Sequence, residues 1–337
     1  MTTTHVILLT YGEPPVTAFR EQWRYSNRIL SRLTRLVAPI PPIAVPLIGA
    51  WRGYRRSRLW TRMKYASPLE SITERQAQGI QRELNELEPN MDWRVRLAYE
   101  FRDPDLPAVL SQIRLEDCPN IILAPLYVAA CDFTSEISQR DYERFQERHG
   151  APLPEGKWII FRSHLRDLAR IMSNHVRAES DRFRVDAEAR KQTGLLLGCH
   201  GTVIYPPPGI TDTGYPDTFQ LYQLLEQLLA PEFKAVAIGW LNHQLGGEWT
   251  SPSLDVSARK MLEEGITRFV YFPFGFLGDN AETQLEGRMV LESVGISSYH
   301  HLPCLNDRPE FLHYLAKQIM RSAEPSPETG AHSASAA

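Results

Sequence analysis

The sequence predicts an α/β protein made of two Rossmann-like halves, each with a parallel sheet, and a cleft between them. Short apolar runs alternate with amphipathic stretches, the signature of strands linked by helices. The alternation occurs twice in the same order. Each half opens on a strand that stops at a glycine turn: Val6–Thr10 before Tyr11-Gly12, and Leu195–Cys199 before His200-Gly201.

The elements follow in order. After the first strand, Ala18–Leu36 reads as a helix. Leu36–Trp51 is apolar but carries four prolines, at 39, 41, 42 and 46, which argues against a regular helix there. Arginines flank this stretch on both sides, so it is either a loop packed on its own domain or an exposed apolar lip (about 36–58) for a greasy ligand or a membrane surface. Ser67-Pro68 opens a helix to about Glu88, with Pro68 suited to its first turn. A strand over Arg94–Tyr99, a helix from Asp103 to about Leu115, a strand over Ile121–Tyr127, a helix over Thr134–Glu147, a strand over Lys157–Phe161 and a helix over Leu165–Arg182 complete the first series. The second series gives a helix over Asp217–Leu229, a strand over Lys234–Trp240, a helix led by Thr250-Ser-Pro-Ser-Leu to Glu264, and a strand over Phe269–Phe272. A further helix starts near Asp279, and Pro309–Ile319 closes the fold. The expected division is 1–165, 166–321 with its last helix packing back, and a disordered Ser-, Ala- and Pro-rich tail over 322–337.

Composition narrows the function. A net charge of −3 over 337 residues gives no footprint for nucleic acid. The four cysteines, at 118, 131, 199 and 304, lack CxxC spacing, which speaks against a disulfide framework or zinc knuckle and for a reducing cytosol. No run suggests a signal peptide or a transmembrane helix, so a cytoplasmic location is expected. Nucleotide-binding fingerprints, a nucleophile elbow and His-Glu-x-x-His are also missing.

In open parallel sheets, ligands gather at the carboxyl ends of the strands. That rule points to Tyr11, Tyr127, His200, Trp240 and the turn before Glu282. His200 ends a strand beside a glycine and is the leading functional histidine; His243 is weaker, and His300-His301 are adjacent rather than helically spaced. Glu282 and Glu286, four apart, share a helix face, an arrangement that suits a cation or proton path as well as an ordinary solvated face. Cys131 and Cys199 read as core residues.

These stretches together carry a resemblance. Leu9-Thr-Tyr-Gly-Glu-Pro14, Ser67-Pro-Leu with the Thr73-x-x-Gln76 helix, Leu123-Ala-Pro-Leu-Tyr127, His200, Gly239-Trp240 with Trp249-x-x-Pro252, Phe272-x-Phe-Gly-Phe276 and Asp279-x-x-Glu282-Thr283 occur in an order and spacing similar to the ferrochelatases, over about residues 5–320. The resemblance implies a chelatase-type fold with a porphyrin cleft between the domains. It implies a lyase of haem biosynthesis that inserts Fe2+ into a free-base porphyrin, with iron as substrate and neither a permanent cofactor nor an iron–sulfur cluster. His200 and Glu282 would be the catalytic pair and metal ligands, facing each other across the macrocycle. Tyr11, Tyr127, Trp240 and Glu286 would line the substrate site, and the lip would allow peripheral membrane contact at the inner face. The sequence departs from the family pattern at Asn280, where a histidine is usual, at Val290, where an acid is usual, and at Glu100-Phe-Arg-Asp103, where a basic residue–His pair is usual. A chelatase for another tetrapyrrole or metal, and a porphyrin-holding paralogue, are the alternatives.

Overall fold

In this computed structural model the described residues are 3–37, 40–114, 120–149, 156–159, 164–205, 210–242 and 248–323. The first apolar run becomes β1 (Thr3–Thr10), the interior strand of a parallel sheet with β2 (Asp92–Tyr99), β3 (Asn120–Pro125) and β4 (Gly156–Trp158), ordered β2-β1-β3-β4. The second sheet repeats this order: β5 (Thr193–His200) lies between β6 (Ala235–Leu241) and β7 (Arg268–Phe272), with β8 (His300–His301) outside β7. The duplication expected from the sequence is thus a duplication of topology. In each sheet the chain reverses direction of growth beside the first strand, so the two switch points lie at the carboxyl ends of β1/β3 and β5/β7.

Side-chain alternation along the strands decides where the core sits. Val6 and Leu8 of β1 and Leu195, Leu197 and Phe272 of β5 and β7 point into one apolar cluster that spans both halves. The intervening residues face outward helices. Ile7 and Leu9 pack with α4 (Leu106–Leu110) and α5 (Ser135–His149), and Leu196 and Tyr271 with α9 (Leu254–Glu263) and α10 (Gly287–Ser293). Into the shared cluster go α3 (Leu69–Leu87), α6 (Leu165–Arg182), α8 (Tyr215–Leu229) and the closing α11 (Pro309–Ala323). α11 returns to lie against α3 and β3 of the first sheet.

Several elements differ from expectation. The proline-rich stretch is helical: α1 (Phe19–Val37) is followed by a 3₁₀ turn at Pro42–Ala44 and by α2 (Val45–Met63). The reason is positional. Pro41 caps the 3₁₀ turn, Pro42 begins it, and Pro46 sits in the first turn of α2, where no intrahelical N–H is required. α1 and α2 form a tight antiparallel pair, and a Cβ built on Gly53 would lie 2.6 Å from the Trp23 Cα, so only glycine permits that approach. α4 is shorter than predicted, and the one-turn helix α7 (Ala187–Arg190) and β8 were not foreseen. His243, Cys118 and the tail beyond Ala323 lie outside the described residues.

Candidate active site

The site is assembled where the second sheet switches. β5 delivers His200 at its carboxyl end, and the chain leaving β7 passes directly beside it. A Cβ on Gly275 would meet Cys199 Cβ at 2.6 Å, so the glycine in Phe-Gly-Phe is what lets the two strand ends touch. The loop is then pinned. Gln76 of α3 donates from Nε2 to the carbonyls of Leu277 and Asn306, at 3.2 and 2.9 Å. Asp279, buried, accepts from the Cys304 amide at 2.9 Å and from Asn306 Nδ2 at 2.8 Å.

Asn280 starts the helix. Its Oδ1 accepts from the amides of Glu282 and Thr283 at 2.8 and 3.2 Å, satisfying two of the donors that a helix start leaves unpaired. The side chain is buried and lies outside the cavity wall. The departure from histidine at this position is therefore a cap that serves the backbone of the site. The next five residues, Glu282–Glu286, form a π-helical turn in place of the expected α-helix, and α10 follows. Such widened turns recur at functional sites; here it carries both acids.

His200 Nδ1 lies 2.8 and 2.9 Å from the two carboxylate oxygens of Glu282. An ionised carboxylate only accepts, so Nδ1 carries the hydrogen and the ring's lone pair falls on Nε2. This contact corrects the expectation that the pair faces each other across a macrocycle. No flat ligand fits between groups at that distance, so both lie on one side of the cavity. The imidazole is 49 % exposed, toward the cavity, while the carboxylate is 13 % exposed. Burial pushes the His200 pKa down, but the charge and hydrogen bond of Glu282, with Glu286 behind it, raise it above its ordinary value. Burial and the Glu282 charge push the Glu286 carboxyl up to about 7, against the opposing pull of Arg56 and His200.

A cavity of about 640 Å³ opens beside this pair, within the range of small-molecule sites. Tyr11, Tyr127, Trp240, His200, Glu282 and Glu286 all line it, so the six residues expected at the substrate site meet there. The first half supplies the facing wall. Tyr11 and Tyr127 sit at the ends of β1 and β3, and Trp51 and Arg52 come from α2. Across the rim, Asp132 of the first half accepts from the amides of Thr211 and Asp212 at 2.7 and 3.3 Å. Cys131 and Cys199 also reach the wall, and burial holds both thiols above their ordinary pKa. No group of three or more His, Cys, Asp or Glu is poised to hold a metal among the described residues. Glu100, in the departing Glu-Phe-Arg-Asp stretch, is buried and accepts from Ser138 Oγ at 2.9 Å; burial lifts its carboxyl to about 8. Arg102 pairs with Glu70 and Glu21, so it is committed to the first half's own surface. Val290 packs on the outer cluster of the second half.

Sequence reasoning missed Glu13 and Arg56, which join the cavity wall as an ion pair of 2.8 Å. The available signal was an acid three residues after the end of the first strand, in Tyr11-Gly-Glu-Pro14.

Two duplicated parallel sheets, with a charged pair at one switch point and a largely apolar cavity between, define a chelatase-type protein. The ferrochelatase family model matches residues 3–323. A ferrochelatase from Mesorhizobium japonicum is 24 % identical over 334 residues, covering 94 % of this chain and 90 % of its own. The coproporphyrin III ferrochelatase of Anoxybacillus flavithermus is 26 % identical over 265 residues, covering 75 % of this chain and 80 % of its own. Among solved structures, SirB from Bacillus subtilis with Fe3+ shares the fold at a TM-score of 0.53 and 10 % identity, covering 96 % of both chains. The chain belongs to the ferrochelatase family, whose enzymes are lyases that act as metal chelatases.

Proposed function

We propose that this enzyme inserts Fe2+ into a free-base porphyrin seated in the cavity between the two halves, as a step of haem biosynthesis. The observation that carries the reading is the His200–Glu282 hydrogen bond at the edge of that cavity. Replacing two pyrrole N–H protons by one dication demands a base and a cation-steering group on the same face. His200 accepts the two pyrrole protons in turn at Nε2, releasing the first to solvent before it takes the second, while Glu282 holds the Nδ1 hydrogen and stabilises the imidazolium that forms each time. Glu282 also replaces part of the hydration shell of the incoming ion. Glu286, with a carboxyl near 7, receives and passes on protons behind the pair. Tyr11, Tyr127 and Trp240 contribute wall area, and the energy of burying the macrocycle there drives the distortion that exposes its nitrogen lone pairs. Iron is a substrate in this scheme, and the chemistry requires no permanent cofactor.

The lip belongs to the same reading. Ile43, Leu47 and Trp51 are exposed by 87, 75 and 58 %, beside Arg55 and Arg58. This apolar and basic edge suits a peripheral contact of a cytoplasmic protein with an anionic membrane surface. No helix among the described residues is long and apolar enough to cross a membrane.

The test is an anaerobic assay with ferrous iron and either protoporphyrin or coproporphyrin, read as loss of free-base fluorescence. The reading expects rapid loss with one of them. Tight binding of both porphyrins without insertion would instead mark a porphyrin-holding protein, and insertion only of another metal would mark a different chelatase.

A further inference from the structure

The catalytic turn is held from the other half of the molecule. A helix start leaves its first amides without intrahelical acceptors. In the turn that carries Glu282, the amides of Glu282 and Thr283 are served by Asn280 Oδ1, and that of Gln284 by the Asn280 carbonyl. The amide of Ala281, immediately before Glu282, is served by Glu13, whose Oε2 accepts from it at 2.9 Å. Glu13 is 3 % exposed, and its other oxygen accepts from Arg56 Nη2 at 2.8 Å. Arg56 is itself fixed: its guanidinium lies 4.7 Å from the ring centre of Trp60 and 5.2 Å from that of Tyr25, and its Nε donates to Gln22 at 3.0 Å. Trp60, from the inner end of the lip helix α2, packs against Ala281 and Leu285 of the catalytic turn. A buried carboxylate survives only when paired. Here one oxygen takes the pairing, and the other reaches the backbone next to Glu282.

We propose that Glu13 is a positioning residue for metal insertion: by holding the Ala281 amide it fixes the backbone from which Glu282 reaches His200, with Arg56 of the lip helix as its partner. The inference rests on the reading of His200 and Glu282 given above. Its content is that reach matters more than charge. Glu13→Gln keeps an acceptor at the right distance and loses the charge. Glu13→Asp keeps the charge beside Arg56 and falls one methylene short of the amide.

The experiment compares wild type, Glu13→Gln, Glu13→Asp and Glu13→Ala by anaerobic insertion kinetics, porphyrin binding and hydrogen exchange of the segment 281–286. The expected result is a kcat within about threefold of wild type for Gln and a loss of about 10–100-fold for Asp and Ala, the size of effect seen when partners of metal-site residues are removed. Porphyrin affinity stays within about twofold throughout, because Glu13 is only 3 % exposed and gives the cavity almost no contact surface. Exchange protection of the segment is kept in Gln and lost in Asp and Ala. An Asp variant as active and protected as wild type, or a Gln variant as impaired as Ala, overturns the proposal and assigns Glu13 to a structural ion pair. If Ala does not fold, the order of Gln and Asp still decides. If wild type inserts no metal, the functional reading fails, and the exchange pattern still decides whether Glu13 holds the turn.

Discussion

The two halves share one strand order, and they differ in what they place at the switch point. Beside β5 and β7 the second half sets His200, Glu282 and Glu286, and the Glu282 charge raises the pKa of both the others. Beside β1 and β3 the first half sets Tyr11 and Tyr127, whose hydroxyls burial holds far above any working pH, with the buried acid Glu100 behind them. Duplication therefore supplied two equivalent positions: the second half holds a histidine–carboxylate pair there, and the first half's charges, Glu13 and Arg56, are tied to each other. In the proposed function one wall does the chemistry and the other offers shape, an arrangement that suits a large flat ring attacked from one side.

That contrast can be broken by substitution. Glu282→Gln should cost about 10²–10⁴ in insertion rate, the range for removing an acid–base partner, with porphyrin affinity nearly unchanged. The same change should lower the His200 pKa, since burial then acts without the opposing carboxylate; a pH titration of the ring by NMR reads this directly. Glu286→Gln should act on stability. The folded carboxyl near 7 lies above its ordinary 4.5, so its stabilising share is complete below 4.5 and lost as pH rises through 7. The variant should match wild type near pH 4 and exceed it by about 1–3 kcal/mol near pH 8, measured as denaturation midpoints. For the first-half groups that do not reach the Glu282 turn, the effects should be small. Tyr127→Phe and Glu100→Gln should each leave the insertion rate within about threefold, because neither hydroxyl nor carboxyl carries charge at neutral pH. A Tyr127→Phe or Glu100→Gln variant as damaging as Glu282→Gln would erase the division of labour. At the lip, Leu47→Ser should change stability by no more than about 0.5 kcal/mol, since the side chain is 75 % exposed, yet reduce sedimentation with anionic vesicles.

Much of this was legible in the chain. Val6–Thr10 and Leu195–Cys199 are apolar runs ended by glycine turns, and both became interior strands. The strand-end rule collected Tyr11, Tyr127, His200 and Trp240 into one cavity. The lip helix was hidden because proline content was weighed without position; Pro42 and Pro46 stand in first turns, where they are tolerated. The π turn was hidden because Glu282 and Glu286 fit α-helical spacing equally well. The side of the ring on which Glu282 stands, and its tie to Glu13, depend on contacts spanning 82 and 268 residues of sequence, which no local pattern encodes.

The most direct measurement is anaerobic insertion of ferrous iron by His200→Ala, with porphyrin binding determined on the same preparation. The account expects an unchanged affinity for porphyrin and a free-base fluorescence that stays constant when iron is added. Near-normal quenching by the variant would contradict it.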